Sequence, residues 1–212
     1  MTDEPSQAVR AADLRARVAG LMPRLRADLE DLVRVPSIAF EGFPAEPLQA
    51  AAGRVADLLR GVGLDDVRLL EVPDSPAAVY GERPAAPGAP TVLLYAHYDV
   101  QPPGDEAAWS SPPFEPVVRG GRLYGRGAAD DKSGIVIHTG ALAALGDECR
   151  VRIKVLVEGA EEVGAGGIET FVAAHADLLG ADAIVLADVG NYQTGVPTLT
   201  TSLRAMPVFS NM

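Results

Sequence analysis

The chain has little of what several protein classes depend on. It carries one cysteine, Cys149, in 212 residues, which excludes an internal disulfide framework. Lying just before an apolar strand, that cysteine reads as a structural residue and not as a nucleophile. Lysine and arginine number 18 against 29 aspartates and glutamates, for a formal net charge of -11. No Lys/Arg cluster appears, and phosphate neutralisation needs one, so no nucleic-acid partner is expected. Long apolar runs are also missing: none reaches the roughly 18 residues of a membrane span. The polar, acidic start MTDEPSQAVR has no apolar leader core. A cytoplasmic protein without a membrane partner is the expectation. Aromatic residues are scarce at 5%, yet hydrophobic residues reach 48%, enough to build a core. Most of the acidic surplus reads as solvated surface.

What is present is an alternation of helical and strand-like segments. Residues 7–20 and 23–34 read as two helices. Pro23 suits a first helical position, and Leu25, Leu29, Leu32 and Val33 follow as an apolar stripe. Residues 47–60 form an amphipathic helix stopped by Gly61 and Gly63. Residues 67–72 and 77–80 read as strands, Gly120-Gly121 as a hairpin turn, and residues 133–145 as a helix. This alternation predicts the α/β class.

Three apolar runs end in ligand chemistry. Thr91-Val92-Leu93-Leu94-Tyr95 is followed by His97 and Asp99; residues 151–157 run into Glu158, Glu161 and Glu162; residues 183–187 stop at Asp188. In a parallel α/β sheet the carboxyl ends of strands share one edge, where ligands bind. An imidazole and several carboxylates meeting there suit a divalent cation such as zinc. The residue pattern therefore predicts a metallohydrolase.

Each motif also has a plainer reading. His97 fits a ligand whose second ring nitrogen is held by Asp99, or a surface histidine beside a turn aspartate. Asp130-Asp131, between a glycine-rich turn and a helix start, fits metal ligation or helix capping. In Glu158-x-x-Glu161-Glu162, one glutamate can hold a cation while its neighbour faces bound water and moves a proton; an acidic turn is the alternative. Asp188 gains weight only by converging with the rest. His138, in an apolar helix, and His175, near Phe171 and Val172, read as packing or surface residues. The loop 101–116, with five prolines and Trp109, leaves the expected site edge and has the length of a functional loop.

Taken in order, His97-Tyr98-Asp99-Val100-Gln101-Pro102, Trp109, Ser111-Pro112-Pro113-Phe114, Tyr124-Gly125-Arg126-Gly127-Ala128-Ala129-Asp130-Asp131-Lys132 and Glu158-Gly159-Ala160-Glu161-Glu162-Val163-Gly164 resemble the M20 family of metallopeptidases. Within it, the pattern is similar to the dipeptidase branch of carnosinase and cytosolic nonspecific dipeptidase. The likeness runs over residues 29–204. It implies a zinc-peptidase-like mixed sheet flanked by helices, incomplete at the C-terminal end. The implied activity is metal-dependent hydrolysis of dipeptides or short peptides, and the Trp109 and Ser111 to Phe114 loop favours that branch. N-acyl amino acid deacylation is the alternative within the family. A non-catalytic remnant binding one zinc or none is the alternative outside it.

The resemblance also implies site roles. His97 and Asp188 would hold one zinc, Asp130 would bridge two through a cis peptide to Asp131, and Glu162 would hold the second. Asp99 would orient His97, and Glu161 would serve as general base and acid. Mn2+ or Co2+ could replace Zn2+. Members of the family are considerably longer, continuing into a lid through which they homodimerise and then returning with a further histidine for the second metal. On that comparison residues 1–203 correspond to the amino-terminal part of the catalytic domain and residues 204–212 to the start of the lid. The first metal would keep His97, Asp130 and Asp188, the second only Asp130 and Glu162. Impaired activity, an open sheet edge and uncovered apolar surface are therefore expected.

Overall fold

The computed structural model describes residues 7–72, 74–164, 167–196 and 198–200. The expected frayed start, residues 1–5, and the expected second domain, residues 204–212, lie outside the described residues. Helix α1 spans Gln7–Val33, 27 residues without a break, and carries Pro23 inside it. This corrects the expectation of two helices with Pro23 opening the second. Proline removes one amide donor and crowds the carbonyl one turn back, which here belongs to Ala19. Both residues are exposed, so water can serve the orphaned carbonyl. Leu25, Leu29 and Leu32 meanwhile pack on the core.

Helix α2, Glu46–Gly61, buries Leu48, Ala51, Ala52, Val55, Ala56 and Leu59, the three-and-four spacing of a one-faced helix. Strands β1 (Arg68–Val72), β2 (Ser75–Arg83) and β3 (Thr91–His97) follow. Strands β4 (Val117–Arg119) and β5 (Arg122–Tyr124) form a separate hairpin around Gly120-Gly121, as expected. Helix α3 is Lys132–Leu145, strand β6 Arg152–Glu158, helices α4 and α5 Gly167–Ala174 and Ala176–Leu179, and strand β7 Ala183–Leu186.

The main sheet has the order β1-β2-β6-β3-β7. It is mixed: β1 with β2 and β2 with β6 are antiparallel, whereas β6, β3 and β7 run parallel. Alternate side chains of a strand point to opposite faces, and two cores result. On one face Leu94, Ala96, Val155 and Val157 pack with α1, α2 and α3. On the other, Leu93 and Leu156 pack with Phe171 of α4 and Leu179 of α5. His138 is a packing residue, as expected: it is buried, and its Nε2 lies 2.8 Å from the Tyr95 carbonyl. His175 stacks on Phe171 with ring centroids 4.5 Å apart. Cys149 is half-buried beside Val151.

In β7 alone among the strands of this sheet, every residue is exposed. Ile184, Val185 and Leu186 are 58%, 46% and 52% exposed. Val185 lines an apolar trough with Ile137 and Ala141 of α3. Ile184 and Leu186 line another with Ile168 and Val172 of α4. No described helix is long and apolar enough to cross a membrane.

Candidate metal centre

Because β6, β3 and β7 are parallel, their carboxyl ends share one edge. The register sets His97 beside Glu158 and Tyr95 beside Leu186. His97, the last residue of β3, is fully buried. Its Nδ1 lies 3.2 Å from an Asp99 carboxylate oxygen and 3.1 Å from the Asp99 carbonyl. Its Nε2 faces three carboxylates: Asp130 at 3.1 Å, Glu161 at 3.8 Å and Asp188 at 3.9 Å. One nitrogen is thus held from behind while the other points into an acidic cluster.

The electrostatics follow from that arrangement. Burial favours the neutral ring, but the Asp99 hydrogen bond and charge, with Asp131 and Asp188, outweigh it and raise the His97 pKa to about 10. Glu161 and Asp188 are both pushed above the usual carboxylate range, chiefly by burial. A cluster that raises its acids and stabilises a protonated ring is short of positive charge. A divalent cation meets that demand by taking the place of the ring proton. The donor chemistry fits as well: His97, Glu161 and Asp188 offer one group of atoms within 4.8 Å of one another, and His97, Asp130 and Glu162 a second.

Asp99 does more than face the histidine. It is fully buried, and its two oxygens accept the backbone N–H groups of Glu161 at 3.2 Å and Glu162 at 3.1 Å. These open a single tight turn, Glu161–Val163, closed by Gly164 in the left-handed region at φ +61°. Glycine carries no penalty there.

The two readings of Asp130-Asp131 divide between the two residues, which are joined by a cis peptide. Asp131 caps α3, accepting from the Gly134 N–H at 3.1 Å, and also accepts from the His97 N–H at 3.2 Å. Burial raises its pKa to about 7, against those two hydrogen bonds and the His97 charge. A side chain at Gly134 would run into the Asp131 carboxylate. Asp130 is the one that faces the cluster, with 65% of its side chain exposed. The three glutamates separate in the same way. Glu158 is buried, turned to the Tyr95 hydroxyl, which donates to it at 2.7 Å. Glu161 and Glu162 reach the cluster.

Three further residues stand in the motifs quoted from the sequence without a role assigned to them there. Gln101 Nε2 donates to the Glu162 carboxylate at 2.8 Å and lies 3.2 Å from the Glu162 carbonyl. The Lys132 ammonium is buried and donates to the carbonyls of Leu32, at 2.9 Å, and Val35, at 2.6 Å, at the end of α1. Burial pushes its pKa down to about 7. Arg126 lies over the Trp109 ring, 5.3 Å from its centroid, and donates to the Pro102 carbonyl at 3.2 Å; the Trp109 indole donates to Pro103 at 2.9 Å. The loop that begins at Gln101 is braced by these contacts. The motifs containing Gln101, Arg126 and Lys132 flagged their positions, but no spacing in the sequence indicated what each one touches.

The profile of peptidase family M20/M25/M40 matches residues 93–203. A cysteinylglycine-S-conjugate dipeptidase of Corynebacterium striatum is 40% identical over 163 residues, which cover 76% of this chain and 36% of that protein. The Cys-Gly metallodipeptidase dug1 of Schizosaccharomyces pombe is 36% identical over 157 residues, covering 71% of this chain and 33% of that protein. The crystal structure of human carnosine dipeptidase 1 superposes with a TM-score of 0.77 at 26% identity, over 87% of this chain and 42% of the other. The chain thus spans 36% and 33% of the length of the two curated relatives.

Proposed function

The chain belongs to peptidase family M20/M25/M40, and from that membership we propose metal-dependent hydrolysis of the amide bond of dipeptides or short peptides. The observation that carries the reading is His97 Nε2 pointing at Asp130, Glu161 and Asp188 from 3.1 to 3.9 Å, with Asp99 behind the ring. The names of the relatives, which act on Cys-Gly and related conjugates, support a dipeptide as substrate.

In this reading His97, Asp130 and Asp188 would hold one Zn2+, and Asp130 and Glu162 would hold a second. Such a cation supplies Lewis acidity toward the scissile carbonyl and makes water more acidic. Glu161 does the proton work: it takes a proton from the attacking water and delivers it to the departing amine as the C–N bond breaks. Asp99 keeps the Nδ1 proton on His97, leaving the Nε2 lone pair for the cation. Residues 1–203 serve as the amino-terminal part of the catalytic domain. Among the described residues the second cation would have two such protein ligands, fewer than the three a catalytic zinc ordinarily keeps, so low turnover is the expected outcome.

The test is Zn2+ stoichiometry combined with hydrolysis of Cys-Gly and of an N-acyl amino acid. Dipeptide cleavage that chelation abolishes is the expected result. Glu161→Ala should lower kcat by about 10²–10⁴-fold with Zn2+ still bound. Zinc binding without dipeptide cleavage, or faster cleavage of the N-acyl compound, would overturn the proposal.

A further inference from the structure

Glu161 and Glu162 are adjacent and chemically identical, yet the proposed reaction needs them to do different work. Their backbones do not separate them, since both N–H groups are held by the one Asp99 carboxylate at nearly equal distance. Their side chains do. The Glu162 carboxylate accepts a 2.8 Å hydrogen bond from Gln101, whose same nitrogen lies 3.2 Å from the Glu162 carbonyl. Among the described residues, no side chain donates a comparable bond to Glu161, whose carboxylate extends toward His97 Nε2, 3.8 Å away.

We infer that Gln101 is the positioning residue that assigns Glu162, and not Glu161, to the cation; the inference rests on the metal-dependent reading above. A carboxylate held by a hydrogen bond has lost rotamer freedom before any ligand arrives, and so loses less on binding. The unheld neighbour keeps the freedom a proton carrier needs to swing between water and leaving group. An amide suits the clamp for a second reason. A lysine or arginine there would also hold Glu162 but would cancel the charge that attracts the cation, whereas glutamine donates without doing so. The clamp lies two residues beyond Asp99 and four beyond His97. Ligand, ring orienter and glutamate clamp therefore stand at alternate sequence positions, from the last residue of β3 into the segment that follows it.

The experiment is a double-mutant cycle read by Zn2+ affinity on the full chain, with Zn2+ alone as probe. Gln101→Met keeps the volume and removes the donor; Gln101→Asn keeps the amide but falls one methylene short. Each should weaken Zn2+ binding by about 10–100-fold, the usual loss when a residue supporting a ligand is removed. In a Glu162→Ala background the same changes should move affinity by less than about twofold, because the side-chain acceptor through which Gln101 acts is gone. Equal losses in both backgrounds would reveal a general structural role and overturn the inference, as would no loss in either. Wild-type chain that binds no Zn2+ would instead sink the metal reading and the inference with it. Thermal midpoints unchanged across the set would exclude misfolding as the cause, and a lost unfolding transition in both Gln101 variants would overturn the positioning role.

Discussion

Strands β6 and β7 flank β3 in the same parallel sense and deliver acids to the same edge, but they are held very differently. After Arg152 every residue of β6 is buried, while every residue of β7 is exposed. Tyr95 makes the contrast local: it is registered against Leu156 on one side and Leu186 on the other, 3% and 52% exposed. The candidate centre therefore straddles a firm half and an open half. His97, Asp99, Asp131 and the glutamate turn stand on the β3–β6 side. Asp188 alone follows β7. Site geometry and fold stability are separable here, because β7 leads an acid into the cluster without contributing much core.

The sharpest way to break the comparison is to truncate the matched pair of leucines. Leu156→Ala should cost about 2–5 kcal/mol through lost burial and the cavity left behind. Leu186→Ala should stay within about 0.5 kcal/mol, as exposed positions do. Urea unfolding would measure both, and comparable losses would refute the division. Glycines after the two strands offer a second test. A Cβ at Gly159 would run into the Tyr98 ring and hydroxyl, while nothing lies within 4 Å of one at Gly190. Gly159→Ala should therefore destabilise by about 1–3 kcal/mol and Gly190→Ala hardly at all.

Asp99→Asn probes the firm half of the centre. It replaces one of two accepting oxygens with a donor that repels a glutamate N–H, so Zn2+ affinity should fall about 10–100-fold, measured by titration. The smallest effect concerns His138. Burial holds its pKa below the ordinary value, so the folded state favours the neutral ring. The stabilisation is complete above the unfolded pKa of about 6.5 and is lost as pH falls below it through the lower folded pKa. His97 carries the opposite sign: its raised pKa stabilises at low pH and fades as pH rises toward about 10. Unfolding midpoints at pH 7.5 and 5.5 for wild type and His138→Gln isolate the first effect, since glutamine can still donate to the Tyr95 carbonyl. The variant should lose less stability on acidification than the wild type.

Much of this was legible in the chain because strand polarity is a simple rule. Three apolar runs that end in acids will converge if the strands are parallel, and β3, β6 and β7 are. The mixed sense of the sheet rests on how β1 and β2 join it, which no residue there announces. Pro23 misled because its local meaning, a helix start, yielded to a stripe of leucines that packs across it. Asp130 and Asp131 look alike in sequence and differ only in which one the capping geometry of α3 claims. Lys132 follows them as an ordinary polar residue would; its burial depends on carbonyls about a hundred positions away. Gln101 is equally silent, because a clamp is defined by what it touches.

Trp109 is the chain's one tryptophan, and it sits on the loop that starts at the Gln101 clamp, under Arg126 and tied to Pro103. A lone indole with a cation over its face and a fixed hydrogen bond is an intrinsic fluorophore whose emission is sensitive to the loss of either contact. Any occupant of the cluster that shifts the loop changes that emission. Stopped-flow mixing can therefore follow loop motion in real time, without a label and without turnover.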